Sequence, residues 1–447
     1  MEEVVVGSRV QPSQVGCRRA PFTPAMRPGR SVLRLAALAL SGVLLVSCAG
    51  SPGSGAPSPQ PSVAPPTSTT TPSPTPVPTQ TPRADAGLAW QTIAGVPGGH
   101  LGAVAAGDGG WVAVGMLHWV DGSESTLVSS DGISWQRLTD PKLYERSWHA
   151  SVTYGPSGWV IVGRTYTDTP DTTRHEAAAW RSTDMATWTM APFVPDLDLG
   201  CLNIEVPFEG MRDVVAGGPG YVAVGNDCVG AAAWTSKDGL AWRRVTDLPG
   251  AADAVIQALV RLEDGTLVAV GHSGGVVNDA RASAWSSRDG LTWRAERVSA
   301  PGTLVAAATD GTMVIAVPAN AGEALSPPLM IRSPEGTWSG IGEPSLSGVR
   351  VATLASNGRR WVAFGTRNVQ SAVRGDAAWS SDDGWTWTAA SEFAYPFPPG
   401  FELPGLNPLG VAAVASDGHR FVAVGALPAA DPAAGAAASW ISPPSGP

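Results

Sequence analysis

The side chains able to do chemistry in this chain are few, and most of them do not assemble. Tyr144, Tyr154, Tyr166, Tyr221 and Tyr395 are the candidate aryloxide nucleophiles, and Tyr221 sits inside an apolar run. Two close acid pairs, Asp196 with Asp198 and Glu205 with Glu209, give no acid/base arrangement of the kind that flanks a glycosidic bond. No nucleophile elbow, phosphate loop or metal-ligand cluster is present, so neither a metal nor another cofactor is expected. Recognition is better represented than catalysis. His149, Arg212, Gln257 and Arg350 stand at corresponding places ahead of a recurrent apolar phrase, with His100 near a fifth such place. Arginine there suits a carboxylate or phosphate, which it binds through paired hydrogen bonds. A water-filled channel would accommodate the same polar residues without a ligand. Trp119 and Trp148 fall outside the repeat positions, where they would either stack on a sugar or cover the top of a core.

The elements that carry these residues follow from the repeats. With 447 residues, 43% of them hydrophobic and 15% charged, the chain is long enough for a large core, and its mean hydropathy is near zero. Acids outnumber Lys and Arg by 38 to 29, giving a net charge of −9 and no basic run, which disfavours nucleic acid as a partner. Glycine (53), proline (40) and tryptophan (18) are the unusual features of the composition, and the proline is local.

From Met26 the chain has a positive segment with Arg27, Arg30 and Arg34, then an apolar stretch from Leu35 to Val46 too short to span a bilayer comfortably. It ends in Leu45-Val46-Ser47-Cys48, which resembles a bacterial lipobox and implies lipidation of Cys48. Residues 1–47 are therefore expected to be a leader whose true start is Met26. Residues 48–82 begin with the lipidated Cys and are otherwise dominated by Pro, Ser, Thr, Gly and Ala, so they are expected to form an uncored linker. At about 3.1 Å per residue in an extended form, the linker would reach on the order of 100 Å. The expected location is the extracytoplasmic side of a bacterial membrane, held there by the lipid alone.

Beyond residue 83 two phrases alternate. One is Ser-x-Asp-Gly-x-x-Trp, with full copies ending at Trp135, Trp242, Trp293 and Trp387 and weaker ones ending at Trp188 and Trp338. The other is an aromatic or apolar residue followed by Val-Ala-Val-Gly or a variant, seen in seven copies from Trp111 to Phe421. A further β-prone run precedes each Val-Ala-Val-Gly copy, and another precedes most Asp phrases, so each unit has four short strands, A to D. Four-stranded units repeated radially predict a β-propeller. The last unit stops after its C strand at Ser442, whereas the first begins at Asp85 with a turn and D strand (Gln91 to Ile93). The two halves make one blade, so the fold class is all-β, a seven-bladed propeller closed by pairing of its terminal strands.

The Asp phrase resembles the Asp-box, or BNR repeat, of sialidase-like propellers, although most copies are one residue shorter than the common family spacing. The resemblance covers residues 83–447 and implies structural roles for Asp85, Asp131, Asp184, Asp238, Asp289, Glu335 and Asp383, on the face opposite the ligand site. A sialidase would also need an Arg-Ile-Pro motif, three carboxylate-binding arginines and a Tyr nucleophile with its Glu; no Arg-Ile-Pro occurs. Asp-boxes specify a fold and not a chemistry. Cys201 and Cys228 fall in a D–A and a B–C connection of one blade, on the same face, and an oxidising compartment favours a disulfide between them. The function expected is a monomeric, non-catalytic binding module for a glycan, a small anion or an envelope protein. The alternative is a sialidase-like glycoside hydrolase.

Overall fold

The computed structural model describes residues 88–118, 123–168, 173–192, 210–227, 229–274, 280–319, 327–367, 375–393, 410–427 and 436–444. These form seven antiparallel sheets of four strands each, every sheet running A-B-C-D from the innermost strand outward; blades 1 to 7 are numbered in chain order by A strands that start at His100, Ser147, Gly210, Ala254, Leu304, Val349 and Gly410. Each A strand packs against the A strands of the blades before and after it, and the seventh packs against the first, so the ring is closed. Blade 7 is built from Gly410–Ser416, Phe421–Leu427 and Ala436–Ile441, with Gln91–Ile93 as its D strand. Gln91, Thr92 and Ile93 pair with Ile441, Trp440 and Ser439, as the split-unit reading requires. Trp90, just ahead of that D strand, lies edge-on to Phe364 of blade 6, with ring centres 4.8 Å apart.

The B strands explain the Val-Ala-Val-Gly phrase. Val222, Ala223 and Val224 are wholly inaccessible, as are Val112, Ala113 and Val114, because both faces of a blade are covered by neighbouring blades. A strand buried on both sides needs apolar residues in succession and not in alternation. The C-strand tryptophans Trp180, Trp234, Trp285, Trp379 and Trp440 fill the gaps between sheets and are all almost fully buried. The phrase-ending glycine has a separate cause. In each of the seven A–B pairings the A strand carries a β-bulge that skips one residue. That bulge presses the A-strand backbone onto the glycine: a Cβ on Gly225 would overlap the Gly210 carbonyl, and one on Gly271 the Val255 carbonyl.

The Ser-x-Asp-Gly turns join C and D strands. Asp289 Oδ1 accepts the N–H groups of Leu291 (2.8 Å) and Thr292 (2.7 Å), and Ser287 Oγ accepts that of Gly290 at 2.9 Å. Trp293 Nε1 then donates to the Gly290 carbonyl at 3.0 Å. Asp131, Asp184, Asp238 and Asp383 repeat the carboxylate bonds. Gly290 has φ +74°, and an added Cβ would lie 2.7 Å from Val222 Cγ2 of the preceding blade, so conformation and packing both demand glycine there. In blade 2 the same place is taken by Met185, which adopts φ +62° regardless.

One described turn differs in register from the sequence reading. In blade 5 the residue paired with the start of the B strand is Arg332, where the other copies have the phrase's Ser. Pro334 thereby takes the Asp position. Glu335, assigned above as that blade's structural acid, falls one place later in the register; its carboxyl is held low by a hydrogen bond with the Ser333 side chain, and the turn closes through Gly336 N–H to the Ser333 carbonyl at 2.9 Å. Arg332 instead makes a buried two-pronged pair with Glu296, at 2.8 and 2.7 Å. Asp85 lies outside the described residues, as do Cys48, Cys201 and Cys228.

Candidate functional site: a cationic cluster at the channel mouth

The bulge in strand A decides which residues face the channel. The skipped residues are Gly102, Ala150, Arg212, Gln257, Val305, Ala352 and Ala412, and all are more exposed than the residues that precede them. Arg212 and Gln257 are thus equivalent residues on adjacent blades, and the structure brings them together: Arg212 Nη1 donates to Gln257 Oε1 at 3.2 Å. Arg212 Nε donates to Asn226 Oδ1 on its own B strand at 2.9 Å. Two amide oxygens, one from each of two adjacent blades, thereby hold the guanidinium.

His149 and Arg350 do not join them, which corrects the sequence reading. His149 precedes the bulge, at the place of Leu101, Met211, Ile256, Leu304, Val351 and Val411, an interblade core position. It is 3% exposed and stands edge-on to Trp180, ring centres 4.6 Å apart, so burial pushes its imidazole down to about 3. Arg350 is one residue earlier again, sharing its position with His100 and Trp148, and is exposed on blade 6. Counting back from the B strand assigned one position to three because the bulge was not visible. Trp119 lies outside the described residues, and so do Asp196, Asp198, Glu205 and Glu209.

Trp148 does belong near the cluster. The Arg164 guanidinium covers its ring, 4.6 Å from the centroid, a cation–π contact. Arg164, Asn226 and His272 each follow the glycine of their Val-Ala-Val-Gly phrase, and sequence reading missed all three. Their signal was available: the residue at that place is Met116, Thr366 or Ala426 after the glycine in three other blades and Ala319 after Pro318 in blade 5, so blades 2 to 4 alone place a basic or amide side chain there.

The electrostatics identify a cation-rich patch. Burial, and then repulsion from Arg164, bring the Arg212 guanidinium down to about 10. His272 is held below the usual imidazole range by burial and by Arg212, and His175 by burial and by Arg164. Two guanidinium groups and two imidazoles held low therefore lie within each other's influence. Such a patch favours a carboxylate, sulfate or phosphate, which would relieve the mutual repulsion while accepting fixed N–H groups.

No protein-family model matches the sequence, and no curated protein matches it. Among solved structures, the chain is similar to the β-propeller domain of the Trilobed protease from Pyrococcus furiosus. That likeness has 8% identity, covers 78% of this chain and 94% of that one, and has a TM-score of 0.45. It is also similar to an ancestral GH74 enzyme (12% identity, 78% and 47% covered, TM-score 0.42). A third likeness is to the Bombyx mori GH32 β-fructofuranosidase BmSUC1 (11% identity, 80% and 92% covered, TM-score 0.34). Likenesses of this size concern the propeller architecture and carry no argument about activity.

Proposed function

We propose that this chain is an extracytoplasmic, lipid-anchored binding propeller that takes an anionic group at the mouth of its central channel. The observation that carries the reading is Arg212, oriented by Asn226 and Gln257 from two blades and held beside Arg164. A repeat protein can fill these positions with small or apolar residues, as blade 7 does with Ala412 and Ala426. Arg164, Asn226, Arg212 and Gln257 depart from that repeat together, and such departures concentrate at functional sites. The lipobox at Cys48 supplies the anchor in this reading. The glycoside hydrolase alternative needs an acid facing a substrate. The described carboxyl pushed highest, that of Glu124, is only 2% exposed between blades 1 and 2.

Calorimetric titration with sulfate and with succinate tests the reading. Arg212→Met should weaken binding at least tenfold, while Arg350→Met, altering a residue outside the cluster, should leave it unchanged. Equal loss in both variants, or loss in neither, would contradict the assignment.

A further inference from the structure

The exposed apolar residues of the ring are not scattered. Two residues after the acid of the Ser-x-Asp-Gly turn stand Ile133 in blade 1, Leu291 in blade 4 and Trp385 in blade 6, exposed by 39%, 54% and 47%. Six large hydrophobic residues are exposed among the described residues, and these are three of them; Met190, Val229 and Val305 share no position. Leu240, half-buried, holds the place in blade 3, Ala186 in blade 2 and Gly336 in blade 5. The turn itself does not need a large side chain there. Its bond is to the backbone: Ile133, Leu291 and Trp385 N–H each reach the turn's carboxylate at 2.8 Å, and Ala186 N–H does so at 2.9 Å.

Equivalent turn positions stand at equal height on the ring, on the face that carries the A–B and C–D turns. From blade 1 to 4, 4 to 6 and 6 to 1 the ring advances three, two and two of its seven steps. No gap reaches half the ring, so the three tips surround the channel axis and define a plane across this face. The backbone donors at the tips are already bonded, so the tips leave water without orphaning them. Tryptophan, leucine and isoleucine at such tips suit the boundary between water and lipid.

The path of the chain names the surface. Gln91, at the start of the split blade's D strand, pairs with Ile441, at the end of the C strand that in other blades leads into the Asp turn. The chain that runs from Cys48 thus joins the ring at this same face. We propose that the turn face docks on the lipid surface that holds the Cys48 anchor, through Ile133, Leu291 and Trp385. This rests on the lipid-anchor reading above. A tether keeps the local concentration high, so a shallow three-point insertion is sufficient. The channel mouth with Arg212 and Gln257, on the opposite face, is then turned away from the bilayer. Hydrogen bonds from Ser134 N–H and Thr292 N–H hold Asp131 down to about 2 and Asp289 below its ordinary range, so acids stand beside the tips. Docking is therefore apolar, needs no anionic lipid and survives salt.

The test uses the full chain on phosphatidylcholine vesicles that contain a photoactivatable phospholipid, with labelled peptides mapped by mass spectrometry. Label should fall on the peptides of Ile133, Leu291 and Trp385. It should miss Val229, which is 60% exposed but lies in a B–C connection on the opposite face. Changing all three tips to serine should cut turn-face labelling at least about fivefold, with the melting temperature unchanged. Raising salt to about 0.5 M, or adding phosphatidylglycerol, should leave the wild type's labelling as it was. Label spread over both faces or centred on Val229, with Cys48 acylated, would overturn the docking and leave the anchor standing. A dimer joined through the three tips that excludes lipid would also overturn it. If Cys48 proves unacylated the anchor reading falls; docking then stands if the tips still take up label, and falls if they do not.

Discussion

Asp213 offers the sharpest test of how the ring is held together. It is one residue past the bulge in blade 3 and half-buried, and its carboxyl joins three blades. Oδ1 accepts the hydroxyl of Ser151 (2.7 Å, blade 2) and its own blade's Val214 N–H (2.8 Å); Oδ2 accepts Leu259 N–H (2.7 Å, blade 4). Burial pushes this carboxyl up to about 6, against the three hydrogen bonds that hold it down. In Asp213→Asn the new amide N–H₂ must face either Leu259 N–H or Val214 N–H, orphaning one buried donor at about 1–3 kcal/mol. At pH 4, where the wild-type acid is largely protonated, the variant should be less stable by that amount. The pH dependence has a definite sign. The folded value lies above the unfolded one, so the protonated acid's advantage is complete below about pH 4 and is lost as pH rises through about 6. Each pH unit between the unfolded and folded values is worth about 1.4 kcal/mol, so the wild type should lose at most about 3 kcal/mol between pH 4 and 7. Asparagine does not titrate, so the gap between the two proteins should shrink or invert over that range. Urea unfolding of both at pH 4, 5.5 and 7 measures the difference, in which all shared titrations cancel. A variant as stable as the wild type at pH 4, or a gap that widens toward pH 7, would refute the three-blade bond.

Other consequences follow from the same geometry. Gly290→Ala should destabilise by about 2–4 kcal/mol in urea, from a left-handed φ of +74° and a Cβ 2.7 Å from Val222 Cγ2; a change under about 0.5 kcal/mol would sink the interblade account. Removing residues 440–447 takes away the fully buried Trp440 and most of the partner of Gln91–Ile93, so the melting temperature should fall sharply, the Trp alone being worth about 3–5 kcal/mol; an unaltered melt would contradict closure by that strand. If Cys48 carries the anchor, Cys48→Ala should leave the protein unprocessed or released from membranes, and normal retention would remove the lipobox reading.

The sequence made the ring legible because each blade repeats the same physical solution. Val-Ala-Val-Gly suits a doubly covered strand under a bulge, with Pro318 standing for the glycine in blade 5, and Ser-x-Asp-Gly suits a tight turn against the previous blade. The terminal half-units gave closure by the same logic. The site was half legible for a reason equally physical. A bulge adds a residue without any residue type to announce it, so His149 and Arg350 were grouped with Arg212 and Gln257 although only the last two point into the channel. Arg164, Asn226 and His272 were hidden beside a glycine read only as a strand marker. The register of Glu335 was hidden because blade 5 keeps the letters Glu-Gly but shifts them by one, with Arg332 in the serine's place. Met185 shows the opposite case, a turn that holds its shape after losing the glycine that identifies it.

The central claim is that an anion sits at the channel mouth against Arg212. Crystals of the full chain grown or soaked in selenate would place an anomalous scatterer wherever an oxyanion binds. The account predicts a peak within hydrogen-bond reach of the Arg212 and Arg164 guanidinium groups, lost in Arg212→Met. Selenate found elsewhere on the ring, at Arg350 for example, with none at the Arg212–Arg164 pair, would contradict it.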